Sequence, residues 1–471
     1  MAVKSVLGRA ARRFARDRRG NYGIMMAVLA PMLLLGAGFG VNIAQLSTAR
    51  SNLLAALDSA VTSTARDITI GVIEAKDAKP TVEAFLIANG QRAFSRGARI
   101  TLDKVVTDPF RKTVMAQASV VVDVAFPLFG AANRQTITSV SEARYSDRKI
   151  EVAMVLDVTG SMAIGRDKIG ELKAAAKVAV EALLDGNKHS ADRVRVALVP
   201  YAQSVNVGEK LAKSAVFYEE GNGPVPPKGW TAPSRRNDYC ATERKMQDGA
   251  PDYSDAAPDS KRTARDSAGK SYEYKALVNR DGRLVRDRVN TRECPAAALV
   301  PLTSDKAALD GVINSFSADG VTAGGVAMQW GYYMLSPNWR ATISAAGLGA
   351  GPADPDPDKI AKIAILMTDG EFNTAFAAVP ASQKPQMDQQ NRSSTNAKAI
   401  CKAMRKDGVE VFTIGFALPA REGAAAREVL KDCASPDTAL TKHFYEATTG
   451  DELKKVFGDI VRNIERLALI R

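Results

Sequence analysis

The stretch EVAMVLDVTGSMAIGRDK, residues 151–168, decides how the main part of this chain folds. It begins with a near-continuous apolar run, which is typical of a strand buried on both faces of a parallel sheet. The run stops at Asp157, and Thr159 and Ser161 follow at steps of two before a helix begins. Short oxygen side chains at such a place can hold a metal ion, accept a phosphate or cap the helix. The rest of the chain has to distinguish these alternatives.

Apolar strands alternate with amphipathic helices from residue 149 to the C-terminus. The strands include RVRVALVPYA (193–202), KIAKIAILMTD (359–369) and VEVFTIGF (409–416). The helices include DKIGELKAAAKVAVEALL (167–184), NAKAICKAMRKDG (396–408) and GDELKKVFGDIVRNIERL (450–467). This alternation predicts an α/β domain over residues 149–471 with a doubly wound, mostly parallel sheet.

Residues from about 203 to 298 interrupt the alternation. They show no sustained period and contain seven prolines, which is typical of a long insertion or of a disordered loop. The segment is also rich in tyrosine, a residue that is enriched at protein interfaces. We expect either a second binding surface here or a solvated loop held by a disulfide.

The four cysteines do not form a CxxC pair, which disfavours a zinc cluster. In an oxidising compartment they predict two disulfides, with three possible connectivities. Proximity along the chain favours Cys240–Cys294 and Cys401–Cys433, and four free buried thiols are the alternative.

The N-terminus predicts a membrane anchor. Residues 1–20 form a basic tail with seven Lys or Arg and one Asp, which accounts for half of the net charge of +12. Residues 21–48 are apolar, uncharged and long enough to span a bilayer. Because the basic residues precede the span, we expect a cytoplasmic N-terminus and a single pass. A cleaved signal peptide and a buried core helix are the alternatives.

Residues 49–148 predict a helix followed by a small α+β module. The sequence QLSTARSNLLAALDSAVTSTARDI (45–68) has helical spacing, and Val-rich strands follow within residues 98–129. Outside the basic tail no Lys or Arg stripe with interleaved aromatic residues occurs, so we do not expect nucleic-acid binding.

The oxygen side chains of three loops are predicted to converge. In open α/β sheets ligands bind at the carboxyl ends of strands, near the point where the strand order reverses. Asp157 and Asp369 each end a strand, and Thr322 lies in a glycine-bounded loop between them. Two carboxylates and three hydroxyls suit a hard divalent cation, Mg²⁺ in the first place with Mn²⁺ or Ca²⁺ as alternatives. A strand end followed by a helix cap is the competing interpretation.

This pattern resembles the metal-ion-dependent adhesion site (MIDAS) of von Willebrand factor A domains, whose usual motif is Asp-x-Ser-x-Ser. Threonine takes the middle position here and keeps the hydroxyl. The resemblance implies that the hydroxyls contact the metal, that the aspartates hold it directly or through water, and that a partner's carboxylate completes the shell. The predicted metal site is Asp157, Thr159, Ser161, Thr322 and Asp369.

The order of parts resembles the TadG family of the bacterial tight-adherence (Flp) pilus assembly system. The similar segments are RRGNYGIMMAVLAPMLLLGAGFGVNIAQ (18–45), LLAALDSAV (53–61), and the C-terminal AICKAMRKDGVEVFTIGF, LKDCAS and HFYEA. Pseudopilins of that system carry a glutamate soon after a cleaved glycine, and nothing acidic follows Gly20 or Gly23 closely here. The resemblance therefore implies an uncleaved assembly or anchoring protein rather than a pilin subunit.

A catalytic function is not expected. The chain has no P-loop, no G-x-S-x-G motif and only two histidines. A phosphotransferase with Asp157 as nucleophile would need an aspartate where Thr159 stands. We expect instead a metal-dependent protein-binding component of pilus assembly or surface adhesion, anchored in the bacterial inner membrane with its bulk periplasmic or surface-exposed. A purely structural periplasmic scaffold, whose metal only stiffens the loops, is the alternative.

Overall fold

The computed structural model describes residues 21–69, 71–93, 100–126, 133–146, 148–187, 192–219, 239–266, 268–284, 294–386, 388–420 and 423–470. The predicted basic tail, 1–20, lies outside these residues. The chain divides into two compact units, which are described separately. One comprises Met1–Ile68 and Ile73–Tyr145, and the other Thr69–Val72 and Ser146–Arg471. The grouping of Thr69–Val72 with the second unit was not predicted.

The first unit is built on one long helix, α1 (Asn21–Thr69). Its N-terminal half exposes large apolar side chains, such as Leu33 and Leu34, and the helix is long and apolar enough to cross a membrane. The C-terminal half buries Leu53 and Leu57 in a core of its own.

The rest of the first unit is a helix and a three-stranded sheet that complete this core. They are α2 (Ala78–Ala93), β1 (Ile100–Asp108), β2 (Thr113–Asp123) and β3 (Arg134–Arg144), with antiparallel strands in the order β1-β2-β3. Alternate residues of β2 from Val114 to Val120 are buried, as expected for a strand with one face on a core.

The second unit alternates strands and helices. Its first half contains β4 (Lys149–Asp157), α3 (Lys168–Asp185), β5 (Val194–Tyr201), β6 (Val205–Asn206), α4 (Gly208–Ala215), β7 (Val216–Tyr218), β8 (Cys240–Ala241), β9 (Lys261–Arg265), β10 (Ser271–Lys275) and β11 (Val278–Arg280). Its second half contains β12 (Val300–Thr303), α5 (Lys306–Asn314), α6 (Gly324–Tyr333), α7 (Arg340–Ala345), β13 (Ile360–Thr368), α8 (Gln390–Lys406), β14 (Val409–Phe416), α9 (Ala424–Cys433), β15 (Phe444–Ala447) and α10 (Gly450–Ile470).

The main sheet has eight strands: seven follow the order β15-β14-β13-β4-β5-β6-β8, and β12 pairs with β5 beside this path. The pairings of β12 with β5, of β6 with β5 and of β8 with β6 are antiparallel, and the other neighbours are parallel. The chain moves outward from β4 to β5 and later returns to the other side of β4 as β13, so the order reverses between β4 and β13. This is the predicted doubly wound, von Willebrand factor A-like fold, and the prediction of the fold class is confirmed. In open α/β sheets ligands bind at such a reversal, outside the carboxyl ends of the two strands.

The sheet is covered on both faces. Ala153 and Val155 of β4 belong to the core that includes α6 and α8, whereas Val152, Met154 and Leu156 belong to the core that includes α3 and α10. Because successive side chains of a strand point to opposite faces, burial on both sides requires the continuous apolar run seen in the sequence.

Part of the described portion of residues 203–298 packs into the core of the second unit, whereas strands β9 and β10 are mostly exposed. Lys245 is buried and its Nζ pairs with Glu219 Oε2 at 2.8 Å and with Asp281. Both predicted disulfides, Cys240–Cys294 and Cys401–Cys433, are present. The first closes much of the insertion, and the second connects α8 to α9.

Candidate metal site

Asp157 is the last residue of β4 and is completely buried. Its Oδ1 accepts a hydrogen bond from the backbone N–H of Thr159 at 2.9 Å. Its Oδ2 accepts hydrogen bonds from Thr368 Oγ1 at 2.7 Å and from the Tyr201 hydroxyl at 3.3 Å. Both donors lie on the strands beside β4 or at their ends, so strand pairing itself fixes the carboxylate.

The Thr159 backbone N–H and the two hydroxyls of the motif connect Asp157 to Asp369. Ser161 Oγ donates to Asp369 Oδ1 at 2.5 Å, and the Thr159 and Ser161 hydroxyl oxygens are 2.8 Å apart. Four predicted residues are therefore joined by hydrogen bonds at the end of β4 and β13.

Thr322 lies on a loop that is hydrogen-bonded both to the loop after β4 and to the loop after β13. In that loop Gly320 O accepts from the N–H of Gly160 at 2.9 Å, next to the two hydroxyl residues. Thr322 O accepts from the N–H of Asn373 at 2.9 Å, in the loop that follows Asp369. Thr322 is 4% exposed. The three loops thus converge, and Thr322 is held there by backbone hydrogen bonds.

The site brings together two buried carboxylates. Burial, and then the negative charge of Asp369, raise the pKa of Asp157 to about 7. Asp369 is only 2% exposed, and the Lys168 ammonium lies 2.7 Å from its Oδ2. A cation at this place relieves the repulsion between the carboxylates.

Lys168, Thr368 and Tyr201 contact the site but were not among the predicted residues. The one sequence signal for Lys168 is its position at the start of the helix that follows the motif. Thr368 and Tyr201 could be found only once the pairing of β4 with β5 and β13 is known.

The donors fit a hard divalent cation. All five predicted residues offer oxygen atoms, two of them as carboxylates, and no soft sulfur or imidazole ligand is among them. Within the described residues no group of three or more His, Cys, Asp or Glu forms an alternative metal cluster. A shell with few protein carboxylates leaves coordination positions for water or for an outside ligand.

Replacing Thr159 tests whether its hydroxyl is a ligand. We expect Thr159→Val to weaken Mn²⁺ binding by about tenfold, or ~1.4 kcal/mol, because the hydroxyl is lost while the shape is kept. Thr159→Ser keeps the hydroxyl and should bind Mn²⁺ within about twofold of wild type. Isothermal titration with Mn²⁺ measures both. Equal binding by the valine and serine variants would exclude the hydroxyl as a ligand.

A family model matches the N-terminal part of the chain, which includes most of helix α1. Residues 20–67 match the family model Tad, described as Flp pilus-assembly TadE/G-like, which confirms the predicted resemblance to TadG-like proteins over this segment. No curated protein matches the chain.

Three solved structures are similar to the chain at low identity. The von Willebrand factor domain of the type V pili tip protein Mfa5 from Porphyromonas gingivalis is 13% identical, with a TM-score of 0.36 and coverage of 69% of this chain and 97% of that chain. The pilus adhesin SpaC from Lactobacillus rhamnosus GG is 12% identical, with a TM-score of 0.36 and coverage of 79% and 35%. Proximal thread matrix protein 1 from the mussel byssus, with a zinc-occupied MIDAS motif, is 15% identical, with a TM-score of 0.31 and coverage of 68% and 46%.

The chain thus spans about a third of the SpaC chain and less than half of the mussel protein. All three TM-scores are low, and the strand order, not these similarities, defines the fold.

Proposed function

We propose that this chain is a membrane-anchored component of Flp/Tad pilus assembly or surface adhesion that binds a partner protein through a divalent metal ion. The observation that carries the proposal is the hydrogen-bonded set Asp157, Thr159, Ser161 and Asp369 at the switch point of the sheet. The match of residues 20–67 to the Tad family model supports the pilus context.

The metal in this proposal is Mg²⁺, with Mn²⁺ or Ca²⁺ as alternatives. Thr159, Ser161 and Thr322 would supply hydroxyl oxygens, and Asp157 and Asp369 would neutralise the ion directly or through water. The bound ion would supply a Lewis-acidic position for a carboxylate of the partner, and the chain's role is binding rather than catalysis. A charge pair formed in a site with little water is stronger than one in bulk solvent.

An exposed apolar side chain lies beside the site and supports the proposal that the partner is a protein. Ile164 is 68% exposed, and its backbone N–H donates to Ser161 O at 3.0 Å. Large apolar side chains that flank a charged anchor are common where proteins bind each other. The partner in this proposal presents an Asp or Glu with an apolar neighbour.

The topology in this proposal follows from the N-terminal charges. The basic residues precede the apolar half of α1, so the tail is cytoplasmic and the second unit is periplasmic, with surface exposure as the alternative. The inner membrane is the compartment in which such a helix would be anchored.

A structural scaffold is the second candidate function. It is favoured by the backbone bonds that already connect the three loops, since Gly160 and Asn373 both donate to the loop of Thr322. In that case the metal stabilises the loops and has no effect on partner capture.

The test is complementation of a strain that lacks this chain, with surface attachment measured per cell. We expect Asp157→Asn to lower attachment at least about tenfold, and EDTA to lower wild-type attachment to the same extent, because the metal that binds the partner's carboxylate is lost. Asp319→Asn is the matched control, since Asp319 is an exposed carboxylate on the Thr322 loop and is not a predicted ligand. Normal attachment by the Asp157→Asn strain, at equal protein level, would exclude metal-dependent capture and favour the scaffold.

A further inference from the structure

The Lys168 ammonium lies inside the candidate metal site. It is 2.7 Å from Asp369 Oδ2 and 3.1 Å from the backbone oxygen of Ser161. The Lys168 side chain is 14% exposed and that of Asp369 is completely buried. Lys168 is the first residue of α3, which follows the motif directly, so the helix start fixes where the lysine stem begins.

This ammonium neutralises Asp369 when no metal is bound. A buried carboxylate without a counter-ion is strongly unfavourable, and Lys168 supplies the positive charge for Asp369. The nearby Arg166 is engaged elsewhere, because its Nε pairs with Glu171 Oε2 at 3.1 Å and its guanidinium lies 5.4 Å from the centre of the Phe416 ring.

A divalent cation has to share the same carboxylate with this lysine. Asp369 Oδ1 is occupied by the Ser161 hydroxyl, and Oδ2 is occupied by Lys168. A metal held by Ser161 and Asp369 would lie within a few ångströms of the ammonium, where like charges repel strongly in a water-poor site.

We propose that Lys168 is a resident counter-ion that competes with the divalent metal for Asp369 and so sets the metal affinity of the site. This inference rests on the metal site of the proposed function and adds a residue that controls its loading. A bound metal would take the place of the Lys168 ammonium at Asp369 Oδ2, and the ion pair would form again once the metal is lost.

The test measures Mn²⁺ binding to the full-length protein in detergent, by electron paramagnetic resonance of the free ion, with Mg²⁺ as competitor. We expect Lys168→Met to lower the Kd for Mn²⁺ at least about tenfold, because the competing charge is removed while the apolar stem is kept. Lys177→Met is the matched control: it removes one charge from the same helix nine residues further on and should change Kd less than about twofold.

A second measurement on the wild-type protein does not depend on the folding of a variant. Reductive methylation followed by mass spectrometry should label Lys168 more strongly at saturating Mg²⁺ than without it, whereas Lys177 labelling should not change. Labelling of Lys168 that is unchanged or reduced by Mg²⁺ would overturn the proposal.

The possible failures are distinguishable. If wild type and Lys168→Met both fail to bind Mn²⁺, the metal site itself is wrong, and this inference falls with it. If wild type binds Mn²⁺ and Lys168→Met binds equally or more weakly, the metal site stands and Lys168 only positions Asp369.

Discussion

The Asp157→Asn variant is expected to lose the stabilisation that Mg²⁺ gives to the wild-type protein. A ligand that binds only the native state at about 100 times its Kd raises the free energy of unfolding by about 2.7 kcal/mol. Asparagine keeps the shape of Asp157 and its acceptor for the Thr159 N–H, but it removes the negative charge that would face the metal. Thermal unfolding of the full chain in detergent, with and without Mg²⁺, measures the difference.

Without metal, wild type should no longer be the more stable of the two proteins. Burial and Asp369 raise the pKa of Asp157 to about 7 from its ordinary value of 3.8, so the folded state prefers the neutral acid. Metal-free wild type therefore loses stability as the pH rises from about 4 to about 7, with little further loss above that, whereas Asp157→Asn does not show this loss. At pH 8 we expect the variant to be at least as stable as wild type without Mg²⁺ and less stable with it.

A stability order that reverses when Mg²⁺ is added distinguishes the loss of the metal site from damage to the fold. A variant that simply packs badly would be less stable under both conditions. The Asp319→Asn control should respond to Mg²⁺ like wild type. An equal Mg²⁺ response in Asp157→Asn would show that the motif only ends a strand and caps a helix.

The fold of the second unit was predictable because burial dictates its sequence. Strands β4 and β13 are covered on both faces, so each is a continuous apolar run that stands out from its surroundings. Strand β3 was not predicted, because its inward positions include Ser139 and Ser141 and no strong apolar alternation results. Strand β15 has only four residues at the edge of the sheet, too few to show a period.

The site residues that lie at strand ends could be predicted from the sequence. Those that reach the site only through tertiary packing could not. Asp157 and Asp369 follow apolar strands, and the switch-point rule brings such ends together. Lys168 reaches Asp369 across 201 positions of sequence, and no local pattern indicates that contact. The same holds for the insertion, where Lys245 meets Glu219 and Asp281 only after the segment has folded.

Removal of the Cys240–Cys294 disulfide is expected to cause the largest loss of stability. The two cysteines are 54 positions apart, and closing a loop of that length in the unfolded chain is worth about 4 kcal/mol by the chain-entropy model. We therefore expect the double variant Cys240→Ser, Cys294→Ser to unfold at a markedly lower denaturant concentration than wild type. Equilibrium unfolding in urea under non-reducing conditions measures the change.

The location of this disulfide predicts a second effect, on the metal site. Glu243, three residues beyond Cys240, is buried and accepts hydrogen bonds from the N–H groups of Phe376 and Ala377, at 2.6 and 2.8 Å. The same loop donates from Asn373 to Thr322 O, so the insertion supports the loop that follows Asp369 and, through it, the Thr322 loop.

The control is the double variant Cys401→Ser, Cys433→Ser, whose loop of 32 positions joins α8 to α9. It should lose a similar stability, about 3.7 kcal/mol by the same model, without weakening Mn²⁺ binding to the fraction that remains folded. Equal Mn²⁺ affinity in the two double variants would show that the insertion does not support the site. Weaker binding in the Cys240→Ser, Cys294→Ser variant alone would show that the insertion holds the Asp369 loop in its metal-binding arrangement.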